Sequence, residues 1–267
     1  MRGRVLIVAG SDSGGGAGIQ ADIKTVTALD AYAATAITAL TAQDTTGVYG
    51  VVPVDPAFIR QQMELVIADI GVDAIKTGML HDTGVIDAVA DTVQRLAPAA
   101  AFVVDPVMVA KGGHKLLHDS AIAAVKARLA PLATVMTPNT PEATALTGIA
   151  IASVADMERA GNAILALGAS AVLVKGGHLD GAQVHDLLVE RSGVTRYASP
   201  RIDTRHTHGT GCTLASAIAA GLAQGLGLNP AVARARAYVR RAIETAPGLG
   251  RGHGPLNHAH TVKPFEI

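Results

Sequence analysis

Cysteine and long apolar runs are the main absences from this chain of 267 residues. It has one cysteine, Cys212, which excludes an internal disulfide, indicates a reducing compartment and leaves the thiol free for packing or chemistry. Apolar runs such as residues 5–9 are far shorter than the ~20 residues that cross a bilayer, and the N-terminus shows no hydrophobic signal segment. We therefore expect a cytoplasmic protein with no membrane partner.

Excess charge of either sign is also missing, because 22 Lys and Arg residues balance 22 Asp and Glu residues and no basic patch stands out. This balance argues against nucleic acid as a partner. Aromatic residues make up only 3% of a chain that is 49% hydrophobic, so Ala, Val, Ile and Leu must build the core. Such a core is typical of buried parallel strands that are covered by helices.

Short β-rich runs alternate with longer runs that carry apolar residues at helical spacing. The predicted strands are residues 4–9, 33–40, 74–77, 102–104, 135–137 and 172–174. The predicted helices are residues 19–29, 56–70, 84–96, 120–129, 154–167, 212–224 and 230–245, and a hairpin is predicted at 184–189 and 195–197. The alternation predicts one α/β domain over residues 1–267, with a doubly wound, mostly parallel sheet, helices on both faces and a small edge hairpin.

The residues Gly-Thr-Gly-Cys at 209–212 directly precede one of these helical runs. Because two glycines remove steric bulk there, the backbone amides at the helix start are predicted to bind a phosphoryl group. The helix start is also expected to lower the pKa of Cys212 and make the residue a proton acceptor. A glycine-rich turn with an unreactive buried cysteine explains the same residues equally well.

The first loop has five glycines between Gly10 and Gly18, which permit a close approach of the backbone to a ligand. Residues 16–21 also fit the permissive dinucleotide pattern GxGxxA, so a nicotinamide-dependent oxidoreductase stays open as an alternative, although no acidic residue clearly ends the second strand. Asp22 lies one turn into the next helix. Its carboxylate is predicted either to face the ligand or to be solvated and favoured by the helix dipole.

Two further loops after predicted strands carry candidate phosphate-handling residues. Asn139 and Glu142 lie three residues apart, where they either hold Mg²⁺ through water or cap the following helix. Lys175 ends an apolar strand, so its ammonium either neutralises a nucleotide phosphate or is an ordinary strand-end charge. No GxxxxGK[ST] motif is present, which excludes a P-loop protein. Two histidine pairs, His206 with His208 and His258 with His260, lack the spacing of metal ligands.

Seven motifs carry a family resemblance when they are taken in order. They are AGSDSGGGAGIQADIKT from residue 9, TALTAQDT from 38, KTGML from 76, DPVM from 105, TPNTPE from 137, KGGH from 175 and THGTGC from 207. In this order the chain resembles the ribokinase-like superfamily and, within it, the hydroxymethylpyrimidine/phosphomethylpyrimidine kinases of thiamin biosynthesis. The resemblance implies ATP-dependent phosphorylation of 4-amino-5-hydroxymethyl-2-methylpyrimidine and of its monophosphate, with Mg²⁺, by a homodimer.

The resemblance also implies roles for residues at matching positions. The implied pyrimidine site comprises Gly10, Met79 and Val107 and, as polar contacts, Asp22 and Gln43. The implied transfer site comprises Cys212, which acts on the hydroxymethyl group, and the amides of Gly209, Thr210, Gly211 and Cys212. The implied nucleotide contacts are Lys175, Asn139, Asp105 and Arg236, and Glu142 is implied to hold Mg²⁺ through water. A side-chain amide such as that of Gln43 suits an aminopyrimidine, since it offers a donor and an acceptor.

Two details narrow the family assignment. Many relatives in the superfamily have Asp where Cys212 occurs, so the cysteine favours pyrimidine kinases and their pyridoxal-kinase-like relatives. Arg236 stands where pyrimidine kinases often have lysine, and the positive charge is kept. A pyridoxine or pyridoxal kinase stays open as an alternative, because a pyridine with a hydroxymethyl arm has nearly the same shape.

Overall fold

The described residues, 1–108 and 119–263 of a computed structural model, form a nine-stranded sheet. Its strands are β1 (Arg4–Asp12), β2 (Tyr32–Gln43), β3 (Val48–Pro53), β4 (Ala74–Thr77), β5 (Ala101–Val104), β6 (Val135–Met136), β7 (Ala171–Lys175), β8 (Gln183–Glu190) and β9 (Gly193–Pro200). They lie in the order β3-β2-β1-β4-β5-β6-β7-β8-β9, and the six strands from β2 to β7 in that order pair in parallel. The mostly parallel sheet and its edge hairpin of β8 and β9 are confirmed.

Helices follow most of the parallel strands. They are α1 (Gly18–Ala28), α2 (Pro56–Asp69), α3 (Thr83–Leu96), α4 (Asp119–Ala124), α5 (Thr140–Thr147), α6 (Val154–Leu165), α7 (Thr210–Ala223) and α8 (Leu228–Glu244). The helix predicted at 120–129 is interrupted, because α4 gives way to a π-helical turn at Val125–Leu129. None of the helices in the described residues is long and apolar enough to span a membrane.

Strand β1 explains why the core has two halves. Its side chains alternate between the two faces of the sheet. Leu6 and Val8 pack with side chains of α2, α3 and α6, whereas Val5 and Ile7 pack with side chains of α1, α7 and α8. The predicted arrangement of helices on both faces is therefore confirmed.

The edge of the sheet beside β2 differs from the prediction. The antiparallel strand β3 was not predicted, because Gly50 and Pro53 interrupt its apolar pattern. Strand β1 continues through a bulge to Asp12, and β2 continues to Gln43. Both ends had been predicted as loop, and both carry side chains that matter for the site.

The connections around β1 locate the site. Strand β2 lies on one side of β1 and β4 lies on the other, so the chain reverses its direction across the sheet at this point. Ligands of open α/β sheets bind beyond the carboxyl ends of the strands at such a reversal. Helix α7 packs between α1 and α8 on one face of the sheet, and its start lies at the same carboxyl edge, where Gly211 approaches the side chain of Lys175.

Two phenylalanines give a matched test of this core. Phe102 in β5 is 1% exposed, whereas Phe58 in α2 is 56% exposed. Phe102→Ala removes a ring from a close-packed cluster, so we expect it to lower the free energy of unfolding by about 3–5 kcal/mol. Phe58→Ala should change that free energy by less than about 1 kcal/mol. Urea unfolding followed by circular dichroism measures both variants, and equal losses would contradict the assigned core.

Candidate functional site

A cavity of about 1020 Å³ lies at the carboxyl edge of the sheet. Its wall is formed by the loops after β1, β4, β5, β6 and β7, by the start of α7 and by part of α8. It brings together the following residues predicted from the sequence: Gly10, Gln43, Met79, Asp105, Val107, Asn139, Glu142, Lys175, Gly209, Thr210, Gly211, Cys212 and Arg236. Asp22 is the one predicted site residue that is not on this wall.

The start of α7 presents backbone amides to the cavity. Gly209 immediately precedes the helix with a φ of 80°, and a Cβ atom there would overlap the carbonyl oxygen of Gly16. Only glycine fits that position. The first amides of a helix have no partner within it and lie at the positive end of its dipole, so the start of α7 is a preformed anion site.

The Cys212 thiol does not have the acidity that was predicted from the helix start. Burial raises the pKa of Cys212 to about 11, although the Lys76 ammonium and the backbone N–H of Gly18 act in the opposite direction. The expectation of a lowered pKa was therefore wrong, because loss of hydration outweighs the helix dipole at this partly buried position. At neutral pH the sulfur carries a proton in the free protein.

Asp22 is neither a ligand-facing nor a solvated carboxylate, so both predictions for it were wrong. The side chain is fully buried, and both of its oxygens lie 2.8 Å from the Nζ atom of Lys76. Ser216 donates a hydrogen bond of 2.7 Å to the same carboxylate. Burial lowers the pKa of Lys76, but attraction to Asp22 outweighs it and keeps that pKa above its usual value.

Asp12 and His208 are site residues that the sequence analysis missed. The Asp12 carboxylate accepts hydrogen bonds from the backbone of Gly14 and Ala17, both at 2.8 Å, and lies 2.8 Å from the Nε2 atom of His208. Burial raises the pKa of Asp12, but the hydrogen bond from His208 and those from the backbone outweigh it and lower the pKa. The only sequence feature that could have indicated a site role for them is their place inside two glycine-rich motifs, the first loop for Asp12 and THGTGC for His208.

One end of the cavity combines an apolar floor with an amide. The methyl group of Met79 fills the space left by Gly10, where a Cβ atom would lie only 2.5 Å from it. The amide nitrogen of Gln43 lies 3.4 Å from the Nε2 atom of His208, and its oxygen accepts a hydrogen bond of 3.2 Å from Thr41. This end suits a flat ring with polar substituents.

The next part of the cavity wall is cationic. The Nζ atom of Lys175 lies 2.9 Å from Asp105 and 4.0 Å from Glu142. Burial lowers the pKa of Lys175, but the two carboxylates outweigh it and raise the pKa, so the ammonium stays charged. A Cβ atom at Gly211 would lie 3.3 Å from this nitrogen, which places the ammonium beside the start of α7.

Asn139 and Glu142 form the helix cap that was one of the two predictions for them. The Asn139 side chain accepts from the backbone of Glu142 at 2.9 Å, and Glu142 accepts from the backbone of Asn139 at 2.8 Å. Glu142 nevertheless lines the cavity. Burial raises its pKa to about 7 against the attraction of Lys175. Within the described residues, no group of three or more His, Cys, Asp or Glu side chains could hold a metal ion.

Comparison with known proteins decides the family. Residues 12–257 match the phosphomethylpyrimidine kinase family. A hydroxymethylpyrimidine/phosphomethylpyrimidine kinase of Rhizobium meliloti is 50% identical over 96% of this chain and 96% of that protein. This chain is a phosphomethylpyrimidine kinase family member.

Other similar proteins agree with this membership. The thiamine biosynthesis bifunctional protein ThiED of Geobacter sulfurreducens is 52% identical over 96% of this kinase, which spans about half (52%) of that longer protein. Among solved structures, a phosphomethylpyrimidine kinase of Clostridium difficile is 42% identical with a TM-score of 0.80, covering 90% of this chain and 99% of that one. A pyridoxal kinase of Staphylococcus aureus in complex with AMP-PCP and pyridoxal is 36% identical with a TM-score of 0.90, covering 98% and 96%.

Family membership settles one alternative from the sequence. The chain is a kinase and not a nicotinamide-dependent oxidoreductase. The glycines of the first loop instead allow the loop to wrap around the Asp12 carboxylate. This carboxylate accepts hydrogen bonds from the backbone N–H groups of Gly14, Gly16 and Ala17.

Arg236 lies on the cavity wall of this kinase but uses its guanidinium within the protein. It donates to Asp186 at 2.7 Å and lies 5.2 Å from the centre of the Tyr197 ring. The other oxygen of Asp186 accepts from the backbone of Gly176 at 3.0 Å. Arg236 therefore ties α8 to the loop that follows Lys175, and its contact with the nucleotide stays a prediction.

Proposed function

We propose that this kinase phosphorylates the hydroxymethyl group of 4-amino-5-hydroxymethyl-2-methylpyrimidine with ATP, and then phosphorylates the monophosphate to the diphosphate. The observation that carries the proposal is the start of α7, whose first residues line one cavity between an apolar end that holds the Gln43 amide and a cationic wall that holds Lys175. Relatives that bear the name of this activity are similar over nearly the whole chain. The proposal treats residues 1–267 as one kinase domain.

The apolar end fits the pyrimidine. Its floor of Gly10, Met79 and Val107 offers a flat surface for a ring, and the Gln43 amide supplies a donor and an acceptor for the ring edge. The Asp12–His208 pair lies on the cavity wall beside Gln43, where His208 contacts the Gln43 amide and restrains that edge of the cavity. A hydroxymethyl arm that extends from the ring toward α7 meets Cys212 and the helix amides.

Phosphoryl transfer requires alignment and stabilisation of charge more than covalent chemistry from the protein. The attacking hydroxyl oxygen forms a bond with the γ-phosphorus, the bond to the oxygen that bridges the β- and γ-phosphates breaks, and the hydroxyl proton passes to the Cys212 thiolate. The amides of α7 and the ammonium of Lys175 stabilise the charge on the moving group. Because the free thiol is protonated at neutral pH, only its thiolate fraction acts as the base.

Mg²⁺ and ATP are included in the proposal. Solved pyridoxal kinases that are similar to this chain hold ADP or AMP-PCP. Mg²⁺ in phosphotransferases needs one or two carboxylates because the phosphates supply further oxygens. Glu142 fits this requirement, since its carboxylate lines the cavity and lies 4.0 Å from the Nζ atom of Lys175, too far for a hydrogen bond. We assign Glu142 to the metal through water and Lys175 to the nucleotide phosphates.

A homodimer in the cytoplasm completes the proposal, as the resemblance implies. Leu40, Tyr49 and Val52, which belong to β2 and β3, are large apolar side chains exposed by 51%, 71% and 63%. Such a surface is suited to contact with a second copy of the chain. Light scattering on the purified protein measures the mass of the assembly, and a monomer would contradict this part.

A coupled ATPase assay compares hydroxymethylpyrimidine, its monophosphate and pyridoxal as substrates. We expect turnover with both pyrimidines and a lower kcat/KM for pyridoxal, which lacks the amino group that faces Gln43. In Gln43→Leu the pyrimidine KM should rise by an amount worth roughly 1–3 kcal/mol, while the KM for ATP changes little. A wild-type preference for pyridoxal would overturn the proposed substrate, and an unchanged pyrimidine KM would remove Gln43 from its site.

Glu142→Gln separates the metal role from the helix cap. Glutamine preserves the reciprocal cap, so thermal stability at pH 5 should change little, whereas turnover should require more Mg²⁺. The Glu142 carboxyl has a folded-state pKa of about 7 against a usual 4.5, so the wild type loses stability as pH rises through that interval. The variant should therefore gain stability relative to wild type between pH 5 and 8. If Glu142→Gln showed a normal Mg²⁺ dependence of turnover, the metal role would be wrong and Glu142 would act only as a helix cap.

Cys212→Ala tests the proposed base. General-base assistance is typically worth 10²–10⁴-fold, so kcat should fall by about that factor while both substrates still bind to backbone groups. In the wild type, kcat should rise with pH between 6 and 9, because the thiolate fraction increases tenfold per pH unit below a pKa of about 11. A near-normal kcat in the variant would show that the proton leaves by water or by the phosphate itself.

A further inference from the structure

Lys76 is a fully buried charge in the core strand β4. Its side chain is 0% exposed within β4, and it is among the largest fully buried side chains of the protein. Burying an ammonium is costly even when it is paired, and an apolar side chain of similar length is often as stable or more stable at such a position. A buried lysine beside a cavity therefore points to a functional use of its charge.

The ammonium lies directly behind the cavity wall. Gly78 belongs to that wall, and a Cβ atom at Gly78 would lie 3.4 Å from the Nζ atom of Lys76. Gly18, whose backbone N–H donates toward the Cys212 sulfur, belongs to the wall as well. The wall is thin here because two of its residues have no side chain.

Contacts from two helices fix the direction of the ammonium. Asp22 in α1 accepts from Nζ with both oxygens at 2.8 Å, and Ser216 in α7 donates to Asp22 at 2.7 Å. Ser216 lies four residues after Cys212, which places the two side chains on the same face of α7. The ion pair of Lys76 and Asp22 is therefore attached to the same helix face that carries the thiol.

Four charged groups act on the Cys212 sulfur. Lys76 is the strongest charged influence and favours the thiolate, whereas Asp22 and Asp105 oppose it. Lys175 also interacts with the sulfur, but it is paired with Asp105 on the phosphate side of the cavity. Lys76, behind the cavity wall, is thus a separate charge from Lys175 on the cavity surface. Lys175 is the one that is proposed to bind the nucleotide phosphates.

We propose that Lys76 is a positioning residue for phosphoryl transfer, whose ammonium, fixed by Asp22 and Ser216, stabilises negative charge on the Cys212 sulfur from behind the cavity wall. The proposal rests on the proposed role of Cys212 as the base. It assigns Lys76 no contact with substrate, since the side chain is sealed from the cavity.

Alkylation of Cys212 by iodoacetamide tests the proposal without turnover, because the chain has no other cysteine. Rates are measured between pH 7 and 10 in the wild type, in Lys76→Met and in the double variant Lys76→Met/Asp22→Asn, which leaves no unpaired buried charge and guards against misfolding. Lys126→Met, at a lysine outside the cavity wall, is the control. Circular dichroism and thermal unfolding confirm that each variant is folded.

Removal of the ammonium should slow alkylation at every pH. We expect a fall of tenfold or more in Lys76→Met, where Asp22 is left facing the sulfur, and a smaller fall below the wild-type rate in the double variant. Lys126→Met should react as the wild type does. A purely structural role predicts the opposite sign, because a loosened wall exposes the thiol, so an unchanged or faster rate in the folded double variant would overturn the proposal.

Turnover measurements separate this proposal from the role of Cys212. Lys76→Met should lower kcat while leaving the KM for ATP near the wild-type value, and its kcat should rise with pH as steeply as that of the wild type. If Cys212→Ala kept a normal kcat while Lys76→Met still slowed alkylation, the base role of Cys212 would be wrong and the charge stabilisation by Lys76 would stand. If alkylation were unaffected in Lys76→Met while Cys212→Ala lost turnover, the charge stabilisation by Lys76 would be wrong and the base role of Cys212 would stand.

Discussion

The carboxylate of Asp12 joins the two loops on which the site depends. It gathers the backbone amides of the first glycine-rich loop and bonds to His208, which immediately precedes the turn into α7. Gly209 packs directly against Gly16 of the first loop, so the start of α7 cannot move independently of the end of β1. The anion site at α7 and the ring site at Gly10 are consequently held in one fixed geometry, which is the main protein contribution that phosphoryl transfer needs.

Charge in the site is balanced in pairs before any substrate is present. Lys76 is paired with Asp22 behind the cavity wall, and Lys175 is paired with Asp105 on its surface. The two pairs differ in what can compete for them. Asp22 is sealed in the core, so Lys76 keeps its partner, whereas a phosphate that enters the cavity competes with Asp105 for Lys175. A nucleotide can therefore draw on one ammonium while the other continues to act on the sulfur.

The sequence predicted a mostly parallel sheet with helices on both faces, and all but one of the predicted site residues lie on the cavity wall, because motif residues at the carboxyl ends of parallel strands must meet at one edge. It did not predict the partners of Asp22. Lys76 and Ser216 belong to two other elements, and their meeting depends on which face of the sheet α1 and α7 both cover. The pKa of Cys212 was mispredicted for a related reason: a motif shows the helix dipole but not how much water the surrounding side chains remove.

Burial of Glu142 and Cys212 at the cavity wall has linked effects on activity and stability. It raises the pKa of Glu142 to about 7 and that of Cys212 to about 11, so both groups reach their proposed working, charged forms only as pH rises. A folded-state pKa above the unfolded value means that folding loses stability as each group ionises, between about pH 4.5 and 7 for Glu142 and between about 9 and 11 for Cys212. The conditions that prepare the site for transfer therefore weaken the fold around it. The buried charge of Lys76 limits this cost at the sulfur, because it lowers the free energy of the thiolate inside the folded protein without admitting water.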